Sequence, residues 1–492
     1  MVESSVPFYT LLVSLIAIPF IGLSGKSPNL RESWTLIASV IKILMVLSMV
    51  PDVLEGKTIY THLGSILPGL DIAFRVDALG MIFAVPASLL WLITSMYSIG
   101  YMRSLNEHDQ TRYYIFFSVA ISATLGIAFS ANVFTLFLFY EILTLSTYPL
   151  VIHQQTQESL QAGRRYLTYL LGTSFAFLLT AVFLTYHTAG TLEFSRQGIL
   201  TGKTSDLMVT LIFILFLAGT TKAGLVPLHS WLPAAMVAPT PVSALLHAVA
   251  VVKAGVFTIV RISLDIFGID LLRDVGLGMG LVYFSSFTVI VASLVALRQD
   301  NLKRRLAYST ISQLAYVVLG VALLTPGGIY GSTLQIVVHA FGKITLFFCA
   351  GAIYVAAHKT KVSELNGIGK KMPLTMIAFT IGAFSMIGVP LTGGFISKWY
   401  LLMGAIEAHH IFAIGVLIIS TILNAAYFLP IIHAAFLKDL PDREEPRIQE
   451  APPWMIGPIL VTAVGTILLF VAPSFFMKIA GLVVGSLNGG SS

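Results

Sequence analysis

The sequence predicts an all-α polytopic membrane protein with about fourteen transmembrane helices, and three observations carry that expectation. The 492 residues are 56% hydrophobic and only 11% charged, with mean hydropathy +0.88, whereas soluble proteins carry about 25% charged residues. Apolar runs of the ~20 residues needed to cross ~30 Å of hydrocarbon recur from end to end. The basic residues are sorted between alternating loops. Net charge is +6 and the isoelectric point about 9.2, but the positive charge belongs to membrane loops, so no nucleic-acid partner is expected. Cys349 is the single cysteine and sits in ITLFFCAGAIYVAA. That excludes a disulfide framework, a CxxC pair and a cysteine-ligated cluster. No cofactor is expected on this chain, and any redox group belongs on another subunit.

The spans fall near 7–23, 33–51, 80–101, 113–130, 131–152, 164–187, 207–228, 239–263, 275–298, 304–324, 330–357, 373–405, 409–437 and 454–478. The first follows Glu3 rather than a basic region, which is not a signal-peptide pattern. The seventh ends in KAGLVPLHSWLP (222–233), an interrupted helix. The twelfth is too long for one straight helix and contains GVPLTGG (388–394), so it breaks at mid-membrane. With these spans, seventeen of the 29 Lys and Arg residues lie on one side, including Arg103, Arg112, Lys303, Arg304, Arg305 and Arg443. Only Lys57, Arg75, Arg196, Lys203, Arg261 and Arg273 lie on or near the other. The positive-inside rule makes the first side cytoplasmic, so the chain is a multi-pass cell-membrane protein with both termini outside.

The two broken spans share a pattern. AGLVPLHSW (223–231) and IGVPLTGGF (387–395) both set Val-Pro-Leu near an embedded lysine. If spans four to eight (113–263) and nine to thirteen (275–437) are equivalent, their odd number makes them inverted repeats. Residues 1–112 then form an N-terminal unit of three helices and 454–492 a C-terminal helix. Inverted repeats with discontinuous helices mark ion-transporting folds.

Six lysines remain inside apolar runs: Lys42, Lys222, Lys253, Lys343, Lys398 and Lys478. Among the acids only Glu141 is deeply embedded in the sequence reading. A charge at the bilayer centre costs at least ~2.5–3.5 kcal/mol, so such residues face a bundle interior or water and carry ions or protons. Lys42 and Lys478 are read as structural, on peripheral spans. Glu141, in FYEILTLSTYPL (139–150), and Lys222 make a switchable carboxylate–ammonium pair. His247 and Lys253 are six residues apart, about 240° round an ideal helix, so they share a face only through distortion. His339 and Lys343 stand at i and i+4, one turn apart. Lys398 follows the break in span twelve, where freed backbone lines a cavity. His229 is assigned a structural hydrogen-bonding role, and His409–His410 a solvated turn. No metal site is expected, and there is no GK[ST] loop, HExxH or GxSxG elbow.

At these segments the chain resembles the antiporter-like subunits shared by respiratory complex I, membrane-bound hydrogenases and Mrp-type multisubunit sodium/proton antiporters. The resemblance covers roughly residues 70–435 and rests on several segments. They are FRVDALG (74–80), FYEILTLSTYPL, KAGLVPLHSWLP, APTPVSALLHAVAVVKAG, DNLKRRLAYSTISQLAY (300–316), HAFGKITLFFCAG (339–351), KVSELNGIGKKMP (361–373) and GVPLTGGFISKW. It implies fourteen helices with two inverted five-helix repeats. Glu141 then matches the fifth-helix glutamate and Lys222 its partner. His247 with Lys253, and His339 with Lys343, match the eighth- and eleventh-helix relays, and Lys398 the terminal group. Lysine at that last position argues against the complex I subunit that carries glutamate there. Ala234 stands in the acidic slot of the commoner WLPDA pattern, which argues against an entry role for that position. The chain lacks the lateral helix of the largest members and most resembles the D-type Mrp subunit and its hydrogenase-linked relatives.

The resemblance implies a proton-translocating subunit of an Mrp-type antiporter. Protons would be taken up near His247 and Lys253, pass His339 and Lys343, and leave near Lys398. Its partners would be other hydrophobic subunits, including related antiporter-like ones, the lipid bilayer and H+, with Na+ export coupled elsewhere in the assembly. The alternative is a pump subunit of a complex I-related redox complex, either an NADH/quinone oxidoreductase or a membrane-bound hydrogenase.

Overall fold

The computed structural model describes residues 1–67, 69–440 and 447–488. Arg443, counted above on the basic side, lies outside them, as do its neighbours 441–446.

The apolar runs form a helical bundle. Its helices are α1 (Val6–Leu23), α2 (Pro28–Leu54), α3 (Ala78–Ser104), α4 (Gln110–Ala128), α5 (Val133–Val151), α6 (Gln157–Ala189), α7 (Asp206–Gly219) and α8 (Thr240–Phe267). They continue as α9 (Leu277–Arg298), α10 (Leu302–Ala322), α11 (Pro326–Ala357), α12 (Pro373–Ile387), α13 (Gly393–Glu407), α14 (Ile411–Leu437), α15 (Pro453–Val471) and α16 (Ser474–Asn488). Side chains cap several starts: Asp77 accepts from Gly80 N, Asn132 from Thr135 N, Asn301 from Arg304 N and Thr325 from Gly328 N.

Among the described residues, eleven helices are long and apolar enough to cross a membrane, fewer than the fourteen spans expected. Three causes account for the difference. α7 stops after 14 residues and α12 after 15, at the two breaks read from the sequence, each only about 21–23 Å long at 1.5 Å per residue. α10 is 21 residues long but carries Lys303, Arg304, Arg305, Ser309, Thr310, Ser312 and Gln313, which make it too polar. α8 and α11 are buried along their whole most apolar stretch and form the centre of the bundle. The C-terminal segment is not one helix, because α15 ends at Val471 and α16 begins beyond Pro473.

The bundle is not purely helical. Strands β1 (Val2–Glu3), β2 (Ile59–Leu67) and β3 (Leu70–Val76) form a small sheet in the order β1-β2-β3. β2 and β3 pair antiparallel, with Ile59 opposite Val76 and Thr61 opposite Phe74. Both lie in the loop before α3, and in β3 apolar Leu70, Ile72, Phe74 and Val76 alternate with Asp71, Ala73 and Arg75. The sheet shares its face with the α4–α5 and α6–α7 connections through bridges Phe74–Ser130 and Asn132–Glu193.

Lys42 departs from the expectation of a peripheral residue. It is fully buried, donates to Ser14 Oγ at 2.7 Å and lies 5.4 Å from the Trp91 ring centre, because α3 covers the inner face of α2. Lys478, on α16, is exposed as expected.

Candidate functional site

The seventh-span break places Lys222 on a single 3-10 turn, Thr221–Ala223, with Gly224 in the left-handed region. α8 closes tightly over it: a Cβ on Gly255 would lie 2.0 Å from Ala223 N. Lys222 is fully buried, and its Nζ donates to Tyr140 O at 2.9 Å and to Thr144 Oγ1 at 2.5 Å, 3.2 Å from the Tyr140 ring centre. Glu141 follows Tyr140 on α5 but does not hold the ammonium directly. Its buried carboxylate oxygens have no hydrogen-bond partner, and the nearby Ser174 hydroxyl donates to Leu171 O instead. The two charges act on each other through space, while the ammonium is seated against the Tyr140 ring.

Next in the line, His247 sits in a π-helical turn, Leu245–Val249, inside α8. π-turns inside helices recur at functional sites. Both ring nitrogens of His247 lack partners, and the ring lies 4.8 Å from that of Phe347 on α11. Lys253 Nζ donates to Ile336 O at 2.8 Å, bridging α8 to α11. His339, one turn beyond Ile336, is fully buried with both nitrogens unpartnered. Lys253, Lys343 and His247 all lie within electrostatic reach of it.

Lys343 Nζ donates to Ser309 Oγ at 2.8 Å, and from there polar groups run to Lys398. Tyr427 OH meets Ser309 Oγ at 3.1 Å and donates to Asn424 Oδ1 at 2.5 Å. Asn424 Nδ2 donates to Tyr316 OH at 3.2 Å and to Met386 O at 3.4 Å. Lys398 Nζ donates to Met386 O at 2.7 Å and Ile387 O at 2.9 Å. A parallel branch runs Ser397–Gln335–Gln313–Met386 O, each link a hydrogen bond. The twelfth-span break thus aims the carbonyl end of α12, the negative pole of its dipole, at the Lys398 ammonium. Glycine is required there: Gly388 has φ +91°, and a Cβ on Gly394 would lie 1.7 Å from Ser385 O.

The geometry gathers Lys253, His247, His339 and Lys343 at the bundle centre, links Lys343 to Lys398, and sets Glu141 and Lys222 to one side. Sequence reading missed Ser309, Gln313, Tyr316, Asn424 and Tyr427. The spacing of Asn424 and Tyr427 on one face of an apolar helix was the available signal. His229 is half-buried; its Nδ1 has no partner, its ring stands edge-on to Tyr308, and it keeps a hydrogen bond with the Pro227 backbone. His410 accepts from Ala413 N and rests on Tyr283 and Phe412, a capped turn.

The sequence reading also understated the acids. Asp265 is fully buried because α8 runs on to Phe267, and it shares Arg261 with Asp77. Arg261, read from the sequence as a loop-edge residue, is fully buried too. Its Nη1 meets Asp77 Oδ2 at 2.5 Å and Asp265 Oδ2 at 2.9 Å, and Arg196 meets Asp265 Oδ1 at 2.8 Å. Burial alone would raise the Asp77 carboxyl, yet Arg261, with Arg75 and Arg196, holds it well below the usual carboxylate range. This cluster ties α3 to α8 on the face that carries the sheet.

Residues 130–424, which hold every one of the seven predicted site residues, match the sequence profile of the family described as NADH:quinone oxidoreductase/Mrp antiporter, TM. The chain belongs to this family. As a member it is an antiporter-like membrane subunit of Mrp and complex I-related lineage. It is 34% identical over 418 residues to NADH-quinone oxidoreductase subunit N of Desulforudis audaxviator, covering 82% of each chain. It is 28% identical to the putative antiporter subunit mnhA2 of Staphylococcus haemolyticus, with 90% of this chain covering 58% of that longer relative. Among solved structures, a chain of the membrane-bound sulfane sulfur reductase, an archaeal respiratory membrane complex, superposes with TM-score 0.88 at 25% identity over 98% of both chains. A chain of the Mrp complex from Dietzia sp. DQ12-45-1b has the same fold, with TM-score 0.87 at 23% identity over 98% of both. Both neighbours are subunits of multisubunit membrane complexes.

Proposed function

We propose that this chain is the proton-translocating subunit of a multisubunit Na+/H+ antiporter of Mrp type. Protons are taken up toward His247 and Lys253, pass His339 and Lys343 and leave by Lys398, while Glu141 and Lys222 bias loading electrostatically. One observation carries the reading: among the described residues, Lys222, Lys253, Lys343 and Lys398 are held by carbonyls and hydroxyls and none by a carboxylate. A buried ammonium hydrogen-bonded only to neutral groups is free to exchange its proton in a way that one locked in an ion pair is not. A structural subunit would instead hold its helices with ion pairs, as Arg261, Asp77 and Asp265 do elsewhere in this molecule.

In this reading both termini face outward, Na+ export is coupled elsewhere in the assembly, and residues 113–263 and 275–437 are inverted repeats. The corresponding breaks at Lys222 and before Lys398 support that division. The partners are other hydrophobic subunits, related antiporter-like ones among them. Replacing Lys222 or Glu141 with alanine should abolish proton transport in membrane vesicles while the complex still assembles. Full transport in both variants would contradict the assignment.

A second reading, a pump subunit of a redox complex, is favoured by the similarity to subunit N and to the sulfane sulfur reductase chain. Mild-detergent isolation of the native complex with an iron assay separates the two. Stoichiometric iron with hydrophilic redox subunits supports the pump, and an iron-free set of small hydrophobic subunits supports the antiporter.

A further inference from the structure

We propose that Glu107, His108 and His153 form a binding site for a divalent transition-metal cation of the zinc class, set at the mouth of a pocket on the basic-residue face. The three residues come from two connections, Glu107 and His108 from the α3–α4 loop and His153 from the turn after α5. Each offers one ligand atom, and these atoms lie within 4.8 Å of one another. His153 is fully buried, yet neither ring nitrogen has a hydrogen-bond partner. Leaving a buried polar group unpartnered is costly, so the imidazole is available to take up a ligand. Its Nε2 is 3.8 Å from Glu107 Oε2, and its ring centre is 4.9 Å from that of His108.

The donor set selects the cation. Two imidazoles and one carboxylate suit zinc, which takes three protein ligands and keeps a fourth position for water. Magnesium and calcium ask for oxygen ligands throughout. Bonds of about 2.0–2.1 Å place neighbouring ligands about 3.3 Å apart, so the triad must close by roughly 1.5 Å. His108, with its side chain 46% exposed, has the freedom to do so. Glu107 accepts from Gln154 Nε2 at 3.0 and 2.9 Å, but a carboxylate offers about four lone pairs and keeps some for a metal. The Arg112 guanidinium beside the site pairs with Asp109 at 3.3 Å and donates to His153 O at 3.3 Å.

The position gives the site a consequence. Glu107 and Gln154 line a cavity of about 300 Å³ whose other walls include Lys303, Tyr101, Tyr354 and Thr240. Thr240 opens α8, and His247 lies seven residues along it, about 10 Å at 1.5 Å per residue. A dication at the mouth adds positive charge where protons approach and ties up Glu107, so it slows proton uptake. This consequence, unlike the binding itself, rests on the transport reading above.

The test uses the intact, tag-free complex stripped with a chelator and titrated with Zn2+ against a fluorescent zinc indicator, alongside His108→Gln and His153→Gln. One high-affinity zinc per chain is expected in the parent, weakened at least about tenfold in each variant. Co2+ should give the intense visible spectrum of a four-coordinate site in the parent only. His108 is exposed, so its variant reports even if His153→Gln fails to fold. Unchanged zinc affinity in His108→Gln would overturn the site. In proteoliposomes, Zn2+ should slow proton uptake by the parent more than by His108→Gln, each taken relative to its own zinc-free rate. Equal slowing of both would overturn the placement at the mouth. A parent that moves no protons without zinc would count against the transport reading, and the titration would still decide the site.

Discussion

Tyr427→Phe removes one hydroxyl from the bridge between Lys343 and Lys398 and leaves the ring in place. That hydroxyl meets Ser309 Oγ at 3.1 Å and Asn424 Oδ1 at 2.5 Å. Each lost hydrogen bond is worth about 1 kcal/mol net, and the orphaned Asn424 carbonyl adds desolvation cost, for a total of about 2–3 kcal/mol. If the bridge is used when a proton moves, the same energy falls on the barrier and slows transport by about 30- to 150-fold, at 1.36 kcal/mol per factor of ten. The assay is the quenching of a pH-sensitive dye in inverted vesicles, normalised to assembled complex on a native gel. Thermal unfolding in detergent reports the stability term separately. A variant that loses stability but transports at the parental rate would refute the reasoning, because the bridge would then be scaffolding alone.

Two further substitutions probe the parts around the line. Gly394→Ala drives a methyl to within 1.7 Å of Ser385 O, so it should cost about 1–3 kcal/mol or more by overpacking and displace Lys398, seen as a lower melting temperature with lost transport. Asp77→Asn leaves Arg261 short of a countercharge, which should cost about 3–5 kcal/mol while transport per assembled complex stays parental. Because the folded Asp77 carboxyl titrates below its unfolded value of about 3.9, its contribution is present above that pH and is lost as the pH falls beneath it. The parent's melting temperature should therefore drop below about pH 4, and that of the Asn variant should drop less.

Much of this architecture was legible in the sequence because a bilayer imposes length and polarity on every span. The breaks at 222–233 and 388–394 were readable from Pro and Gly inside apolar runs, and so were the lysines that flank them. What escaped was whatever depends on packing between spans. Lys42 looked peripheral by order in the chain, yet α3 buries it. Arg261 and Asp265 looked like loop-edge residues until α8 proved longer than its apolar run. Ser309, Asn424 and Tyr427 are common polar residues whose meaning arises only where α10 and α14 face each other. The small sheet was overlooked because an apolar composition invites a helical reading of every segment, while period-two alternation at 70–76 pointed otherwise. Glu141 and Lys222 were readable as an interacting pair, but that the Lys222 ammonium rests on Tyr140 O, the Tyr140 ring and Thr144 was not.

The central claim is that protons cross this bundle by way of Lys343, whose hydrogen bond to Ser309 opens the bridge that leads to Lys398. The most direct measurement is proton flux through the reconstituted complex carrying Lys343→Ala, with subunit content verified on the same vesicles. The account predicts a fully assembled complex whose flux falls at least about 100-fold, the scale of a lost proton-transfer group. Parental flux through an assembled Lys343→Ala complex would contradict it.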